Sequence, residues 1–241
     1  MHSTPQQLLR WAIEEFGSAF AVTTSFQKEG MVIVDMAARI DPQVRVVTLD
    51  TGRLPEETYA MMETVHERYG IRVETIAPRK EEVEEMTRQH GPNLFYHDGA
   101  LRKLCCEIRK VRPMEALLHG LKAWAVGLRR SQSESRAGVR EKELVEGRYK
   151  LSPLTAWTHE QVEEYIEVNA VPVHPLYGRG YTSIGCAPCT RAIEPGEDER
   201  AGRWWWELDE AKECGLHVAP DGRIRRALDV MLEEVLTGRN A

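Results

Sequence analysis

The sequence lacks the features that would send it to a membrane, a secretory route or a nucleic acid. No apolar run approaches the ~20 residues of a membrane helix, so no spanning segment and no membrane partner are expected. The opening MHSTPQQLLRWAIEEF has no basic-then-apolar order of a secretory signal and reads as an amphipathic helix. The expected compartment is therefore cytoplasmic and reducing, where cysteines serve more often as ligands or nucleophiles than as disulfides. Basic residues are not in excess: 32 Lys and Arg stand against 38 Asp and Glu, a net charge of −6. A general nucleic-acid footprint is thus absent, though a local basic pocket for a small anion is not excluded. There is no internal repeat and no low-complexity segment. The 241 residues, 42% of them hydrophobic, can bury a core without staples and suit one large domain, or one domain with an appendage.

What the chain does hold is concentrated between Ile184 and His217. Here lie a Cys-x-x-Cys pair (Cys186, Cys189), Arg191, Arg200 and Arg203, three consecutive tryptophans (Trp204–Trp206), and a lone Cys214 in Glu-Cys-Gly-Leu-His. The other two cysteines, Cys105 and Cys106, are adjacent. Five cysteines divide as four plus one. Four thiolates suit zinc or an iron–sulfur cluster. Adjacent cysteines fit poorly on neighbouring vertices of one small ion, whereas a cube with separate iron atoms eases that strain, so a [4Fe–4S] cluster is favoured. The bland alternative is four inert buried cysteines. Cys214 is left over; it is either a core cysteine near a helix end or a nucleophile whose pKa nearby cations lower.

Before that stretch the chain alternates strand and helix. Strands are expected at Ala19–Thr24, Val44–Leu49, Ile71–Ile76 and Ala123–Leu128, with Leu151–Leu154 a short strand or strand end. Helices are expected at Met31–Arg39, Pro55–Tyr69, Lys80–His90, Cys105–Leu118 with both cysteines at its start, and Thr158–Asn169 with a Thr158/Gln161 capping box. Val171–Gly202 reads as irregular, with final helices at Arg203–Glu213 and Arg223–Leu236. The rhythm predicts an α/β fold, a parallel twisted sheet with helices on both faces. In such sheets ligands lie beyond the carboxyl ends of strands, near a switch in strand order. Three polar stretches occupy such places. The loop Thr24–Gly30 precedes a helix and could hold an anion, or be a plain βα turn. Asp50-Thr51-Gly52 is a ligand loop or an Asx turn. Arg129–Arg136 offers arginines for phosphate or sulfate oxygens, or is a solvated loop.

Together these pieces resemble the assimilatory adenylyl-sulfate/phosphoadenylyl-sulfate reductase family. The matching stretches are Ser25-Phe-Gln-Lys-Glu-Gly30, Leu49-Asp-Thr-Gly-Arg-Leu-Pro-Glu-Glu-Thr-Tyr59, Cys105-Cys-Glu-Ile-Arg-Lys110, Gly127-Leu-Arg-Arg-Ser-Gln-Ser133, Arg200-Ala-Gly-Arg-Trp-Trp-Trp-Glu207 and Glu213-Cys-Gly-Leu-His217. The resemblance implies a fold like that of adenine-nucleotide pyrophosphatases, with a modified phosphate loop. It implies a nucleotide-binding domain over residues 1–202 that carries a [4Fe–4S] cluster on Cys105, Cys106, Cys186 and Cys189, and a catalytic segment over 203–241. The implied reaction is reduction of adenylyl sulfate to sulfite and AMP, with Cys214 forming an S-sulfonate that thioredoxin, or a glutaredoxin-like dithiol, resolves. The nucleotide and its phosphosulfate would be held by Ser25, Asp50, Thr51, Gly52, Lys110, Arg129, Arg130, Gln132, Arg136, Arg200, Arg203 and His217. A homo-oligomer is expected. Alternatives are the same reaction on the 3′-phosphorylated nucleotide, an RNA-thiolating sulfurtransferase, and a nucleotide-binding iron–sulfur sensor. The extension Arg223–Ala241 departs from a tail that often nearly ends at the catalytic motif.

Overall fold

In the computed structural model, residues 4–132 and 136–207 are described. Six strands form one sheet: β1 (Phe20–Thr23), β2 (Val46–Leu49), β3 (Glu74–Ile76), β4 (Ala123–Ala125), β5 (Lys142–Val145) and β6 (Arg148–Leu151), in the order β3-β2-β1-β4-β6-β5. Every neighbouring pair is parallel except β5–β6, an antiparallel hairpin at one edge. The order runs outward from β1 in both directions, so the switch point lies between β1 and β4.

The central strands β1, β2 and β4 are short and mainly apolar because both faces are covered. On one face Phe20 and Val22 meet Leu8, Leu9 and Ala12 of α1 (Pro5–Phe16), the apolar side of α2 (Lys28–Ile40), and Met61 and Val65 of α3 (Glu56–Tyr69). Val162 and Ile166 of α7 (His159–Asn169) complete that layer. On the other face Ala21, Val47 and Trp124 meet Leu117 and Leu118 of α6 (Arg112–His119). A third, separate cluster joins Met86 of α4 (Lys80–His90), Phe95, Cys105 of α5 (Gly99–Cys106), Cys186, Cys189 and Trp204. No helix among the described residues is long and apolar enough to cross a membrane.

Local chemistry sets the element ends. Thr4/Gln7 and Thr158/Gln161 both form full capping boxes, the second where the sequence placed it. Gly70, at φ 73°, ends α3 in the left-handed region. Three expectations need correction. Cys105 and Cys106 end a helix rather than start one, because the Asp98 carboxylate accepts from Leu101 N (2.8 Å) and begins α5 upstream. The helix then widens into one π-type turn, Glu107–Val111. Pro113 explains the widening: it has no N–H to offer the carbonyl four residues back, and its ring would press on it. Second, residues 142–151 form a hairpin whose second strand extends the parallel sheet. Its two-residue turn puts Glu146 (φ 49°) and Gly147 (φ 78°) in the left-handed region that a tight hairpin requires. Third, residues 203–207 are turns and an isolated bridge rather than a helix start, and the rest of that expected helix, with Arg223–Leu236, lies outside the described residues.

Two close contacts position the site. A Cβ on Gly127 would lie 2.8 Å from Gly30 N and 3.0 Å from Glu29 Cβ, so the chain leaving β4 presses directly on the first turn of α2. Behind α2, the fully buried Asp35 carboxylate accepts from Arg39 Nε (2.7 Å), Tyr69 Oη (3.1 Å) and Tyr165 Oη (2.8 Å), tying α2 to α3 and α7.

Asp35→Ala should lower unfolding free energy by about 2–3 kcal/mol, the cost of stranding several donors at once. Urea denaturation checks this; a change within error of zero would show that the three donors find other partners. Gly127→Ala should cost about 1–3 kcal/mol, because backbone rather than a flexible side chain must yield. Unchanged stability would contradict the close contact.

Candidate active site

A cavity of about 570 Å³ opens beyond the carboxyl ends of β1, β2 and β4, at the switch point. Its first wall is the loop from β1 into α2. Thr24 Oγ1 accepts from Phe26 N (2.9 Å), which holds Phe26 at φ 59° and buries its ring. The turn aims Ser25, Gln27 and Lys28 at the cavity, and α2 begins there without a side-chain cap. Such a helix start carries partial positive charge, which favours anions, and its first N–H, on Lys28, donates to Tyr177 Oη (3.3 Å). Gln27 Oε1 also accepts from Ile184 N (3.0 Å), fastening the irregular segment across the cavity to this loop.

Of the residues expected from the sequence to bind substrate, Ser25, Thr51, Lys110, Arg129, Gln132, Arg136, Arg200 and Arg203 line this cavity together. Asp50, Gly52 and Arg130 stand outside its lining. The Asp50 carboxylate accepts from Gly52 N (2.8 Å) and Tyr59 Oη (2.8 Å), forming the Asx turn. Burial, helped by that carboxylate, pushes Tyr59 up to about 12. Arg130 Nε donates to Val139 O (3.0 Å). Cys214 and His217 lie outside the described residues.

The turn at the end of β2 also touches the cysteines. Thr51 lines the cavity, and its Oγ1 is 3.2 Å from Cys186 Sγ. Ala187 N donates to Arg53 O (2.8 Å). Arg109, which the sequence reading left without a role, is buried and donates from Nη1 to Thr51 O (2.6 Å). Its position one residue before Lys110, on the π-turn, was the available signal. Lys110 lines both this cavity and a smaller one beside it.

The smaller cavity is lined by all four paired cysteines, together with Arg53, Arg102 and Arg109. All four cysteines are buried. Burial pushes the Cys105 thiol up and the Cys189 thiol up to about 11, against the pull of Arg109 on the first and Lys110 on the second. The Cys105 and Cys189 thiols are thereby kept protonated at neutral pH. Among the described residues no three His, Cys, Asp or Glu side chains form a group suited to one metal ion. Four cysteines around one cavity are also the donor set that an iron–sulfur cluster takes. Trp204 Nε1, buried in the same apolar cluster, meets no hydrogen-bond acceptor among the described residues. A donor stranded beside four sulfurs suits an anionic group with acceptor sulfur atoms. Trp204 lies between Arg102 (4.5 Å) and Arg203 (4.6 Å), whose guanidinium groups face its ring. Arg203 has room because Gly185 has no Cβ, which would lie 2.5 Å from Nη2. Trp204 thus packs in the core and also carries an unspent donor.

The opposite wall is electrically different. Arg129 Nε donates to Glu29 Oε1 (2.8 Å) in a buried pair, Lys28 Nζ to Glu163 Oε1 (2.5 Å), and Lys150 Nζ lies 3.6 Å from Glu143 Oε2. Burial pulls Lys150 below its ordinary pKa while Glu143 opposes the shift. Neither Glu29 nor Lys150 stood out in the sequence, the first because its partner is a hundred residues away, the second because its hairpin went unread.

Comparison with known proteins agrees with this arrangement. Residues 19–192 match the phosphoadenosine phosphosulfate reductase domain. An adenosine 5′-phosphosulfate reductase of Sinorhizobium fredii is 47% identical over 199 residues, 82% of this chain and 79% of that protein. The crystal structure of a phosphoadenylyl-sulfate reductase from Candida auris, a phosphate complex, superposes with a TM-score of 0.67 at 30% identity, covering 80% of this chain and 91% of that one. An FMN adenylyltransferase of Candida glabrata, at 14% identity and a TM-score of 0.56 over 95% of this chain and 77% of that one, shares the fold alone. With a mostly parallel sheet of the adenine-nucleotide pyrophosphatase type, a loop-lined crevice at its switch point and these relatives, the chain belongs to the adenylyl-sulfate/phosphoadenylyl-sulfate reductase family of oxidoreductases.

Proposed function

We propose that the protein reduces adenylyl sulfate to sulfite and AMP in sulfate assimilation, with Cys214 as nucleophile and thioredoxin, or a glutaredoxin-like dithiol, as reductant. The observation that supports this reading most is one cavity walled by the β1–α2 loop on one side and by Lys110, Arg200 and Arg203 on the other. The first wall suits a nucleotide; the second suits a phosphosulfate.

The Cys214 thiolate attacks the sulfonate sulfur. The bond from that sulfur to the bridging oxygen breaks, and AMP leaves with the electron pair. An S-sulfonate remains on Cys214. A thiolate of reduced thioredoxin then attacks Cys214 Sγ, and sulfite departs with the electrons of the sulfur–sulfur bond. The second thiol of thioredoxin resolves the mixed disulfide, so one dithiol supplies two electrons and Cys214 returns as a thiolate. With the other four cysteines buried in their own cavity, an external dithiol is required. Lys110, Arg200, Arg203 and Arg136 neutralise the charge that gathers on the leaving phosphate, and Ser25 with the loop holds the nucleotide.

Cys105, Cys106, Cys186 and Cys189 would hold a [4Fe–4S] cluster, which when bound supplies local order and a fixed charge beside the site. Lys110, lining both cavities, is the residue that couples that charge to the substrate. Residues 1–202 then form the nucleotide- and cluster-bearing part, and 203–241 the catalytic segment. That segment starts anchored: Arg203 and Trp204 pair with Thr190 and Cys189, and Glu207 with buried Arg102. We infer a cytoplasmic location, where a reduced dithiol is at hand.

Steady-state sulfite release should require both adenylyl sulfate and thioredoxin. Cys214→Ser should bind AMP and keep its metal but release no sulfite; normal turnover by this variant would defeat the mechanism. Protein purified without oxygen should carry close to ~4 irons per chain, and Cys186→Ser should lose most of them. Stoichiometric zinc without iron would contradict the cluster.

A further inference from the structure

Arg203 reaches the substrate cavity from a pinned backbone. It forms an isolated antiparallel bridge with Thr190, its N–H donates to Arg200 O (2.9 Å), and Trp204 N donates to Cys189 O (3.3 Å). The far end of its side chain is held more by space than by polar partners. Nη1 makes one long bond, to Ser183 Oγ (3.4 Å), and Nε is buried and meets no acceptor among the described residues. The guanidinium faces the Trp204 ring (4.6 Å) and lies against Gly185. A Cβ on Gly185 would be 2.5 Å from Nη2, 2.7 Å from Cζ and 2.9 Å from Nη1. Gly185 does not adopt a positive φ, so no left-handed conformation calls for glycine there. Its neighbours are fastened on both sides: Ile184 N donates to Gln27 Oε1 (3.0 Å), and Cys186 Sγ lies 3.2 Å from Thr51 Oγ1. Gly185 and Arg203 both line the cavity.

We propose that Gly185 is a positioning residue: the space left by its missing side chain is the slot that aims the Arg203 guanidinium into the substrate cavity. This deepens, and rests on, the adenylyl-sulfate reading, in which Arg203 neutralises the phosphosulfate. A guanidinium is a planar fork, and its two-point contact with an oxyanion depends on its orientation. A long, flexible side chain held in that orientation beforehand loses less freedom when the anion arrives. With the backbone fastened on either side of Gly185, an added methyl group displaces the tip of Arg203 rather than the chain. The fold survives, because that tip is the far end of a flexible side chain, but the fork is turned from its place. Gly185 acts through Arg203 and touches no reacting atom. Because it adjoins Cys186, the same stretch of chain lines the cysteine cavity and sets the aim of a substrate cation.

The experiment is calorimetric titration with adenylyl sulfate of the cluster-bearing Cys214→Ser protein, which holds the substrate unreacted, alone and with Gly185→Ala, Arg203→Ala or both. Gly185→Ala should weaken binding by about tenfold, the span of one charge-assisted hydrogen bond, with iron per chain unchanged. Added to Arg203→Ala it should cost nothing further, because the group it displaces is gone. In protein that keeps Cys214, Gly185→Ala should lower kcat/KM for adenylyl sulfate by the same factor and leave kcat/KM for thioredoxin unchanged, a split that general damage does not give. If Gly185→Ala sheds iron, the double variant should regain it, since removing the guanidinium makes room for the methyl group. Unchanged affinity in Gly185→Ala, a loss that persists in the Arg203→Ala background, or iron lost from the single and the double variant alike would overturn the proposal. Wild type that releases no sulfite from adenylyl sulfate and thioredoxin would instead overturn the reading on which it rests.

Discussion

The structure depends on the turn that closes β2. Asp50 folds it by accepting from Gly52 N, and Arg109 clamps it by donating to the Thr51 carbonyl. Thr51 faces the nucleotide cavity with one side and reaches Cys186 Sγ with its hydroxyl. The next residue, Gly52, has a φ of +67° that L side chains rarely adopt, and a Cβ there would press on the Arg109 guanidinium at 3.3 Å. Arg53 completes the joint by accepting from Ala187 N. This turn joins the sheet to the cysteine segment, alongside the bond from Ile184 N to Gln27 Oε1. The two cavities share lining residues there, Lys110 and Cys186.

That shared wall separates two electrostatic regimes. Around the cysteines, Arg53, Arg102, Arg109 and Lys110 gather where burial otherwise keeps thiols protonated, a setting that favours a bound anionic group over free thiolates. Across the substrate cavity, carboxylates take up the basic residues of the sheet and of α2.

Much of this could be read from the sequence, and the failures have physical causes. The apolar runs at 20–23 and 46–49 showed as strands because a sheet covered on both faces needs near-continuous hydrophobic segments. The loops after β1, β2 and β4 were legible for the same reason: polar residues just past a buried strand have few places to be but a crevice. Four cysteines in two pairs were legible as one set, and they line one cavity. The hairpin at 142–151 was not, because an edge pair rich in Lys, Glu and Arg shows no clean alternation and its Glu-Gly turn puts a non-glycine residue at positive φ. The helix start at Gly99 was hidden because its cap, Asp98, follows an irregular stretch, so the cysteines looked like a beginning rather than an end. Asp50 showed as a ligand candidate although its carboxylate is engaged in building the turn; sequence alone cannot tell a residue that shapes a site from one that touches the ligand. The pairings of Arg129 with Glu29 and Lys28 with Glu163 are long-range, and no local pattern announces them.

The central claim is that one thiol, Cys214, takes the sulfonate from a nucleotide held in this cavity. A single-turnover reaction tests it most directly. The protein is mixed with adenylyl sulfate and no reductant, then digested and mapped by mass spectrometry while released AMP is quantified. The account predicts one sulfonate on the peptide that contains Cys214, AMP in equal amount, and loss of the label as sulfite when reduced thioredoxin is added. A sulfonate on any other cysteine, or AMP released with no labelled peptide, would contradict it.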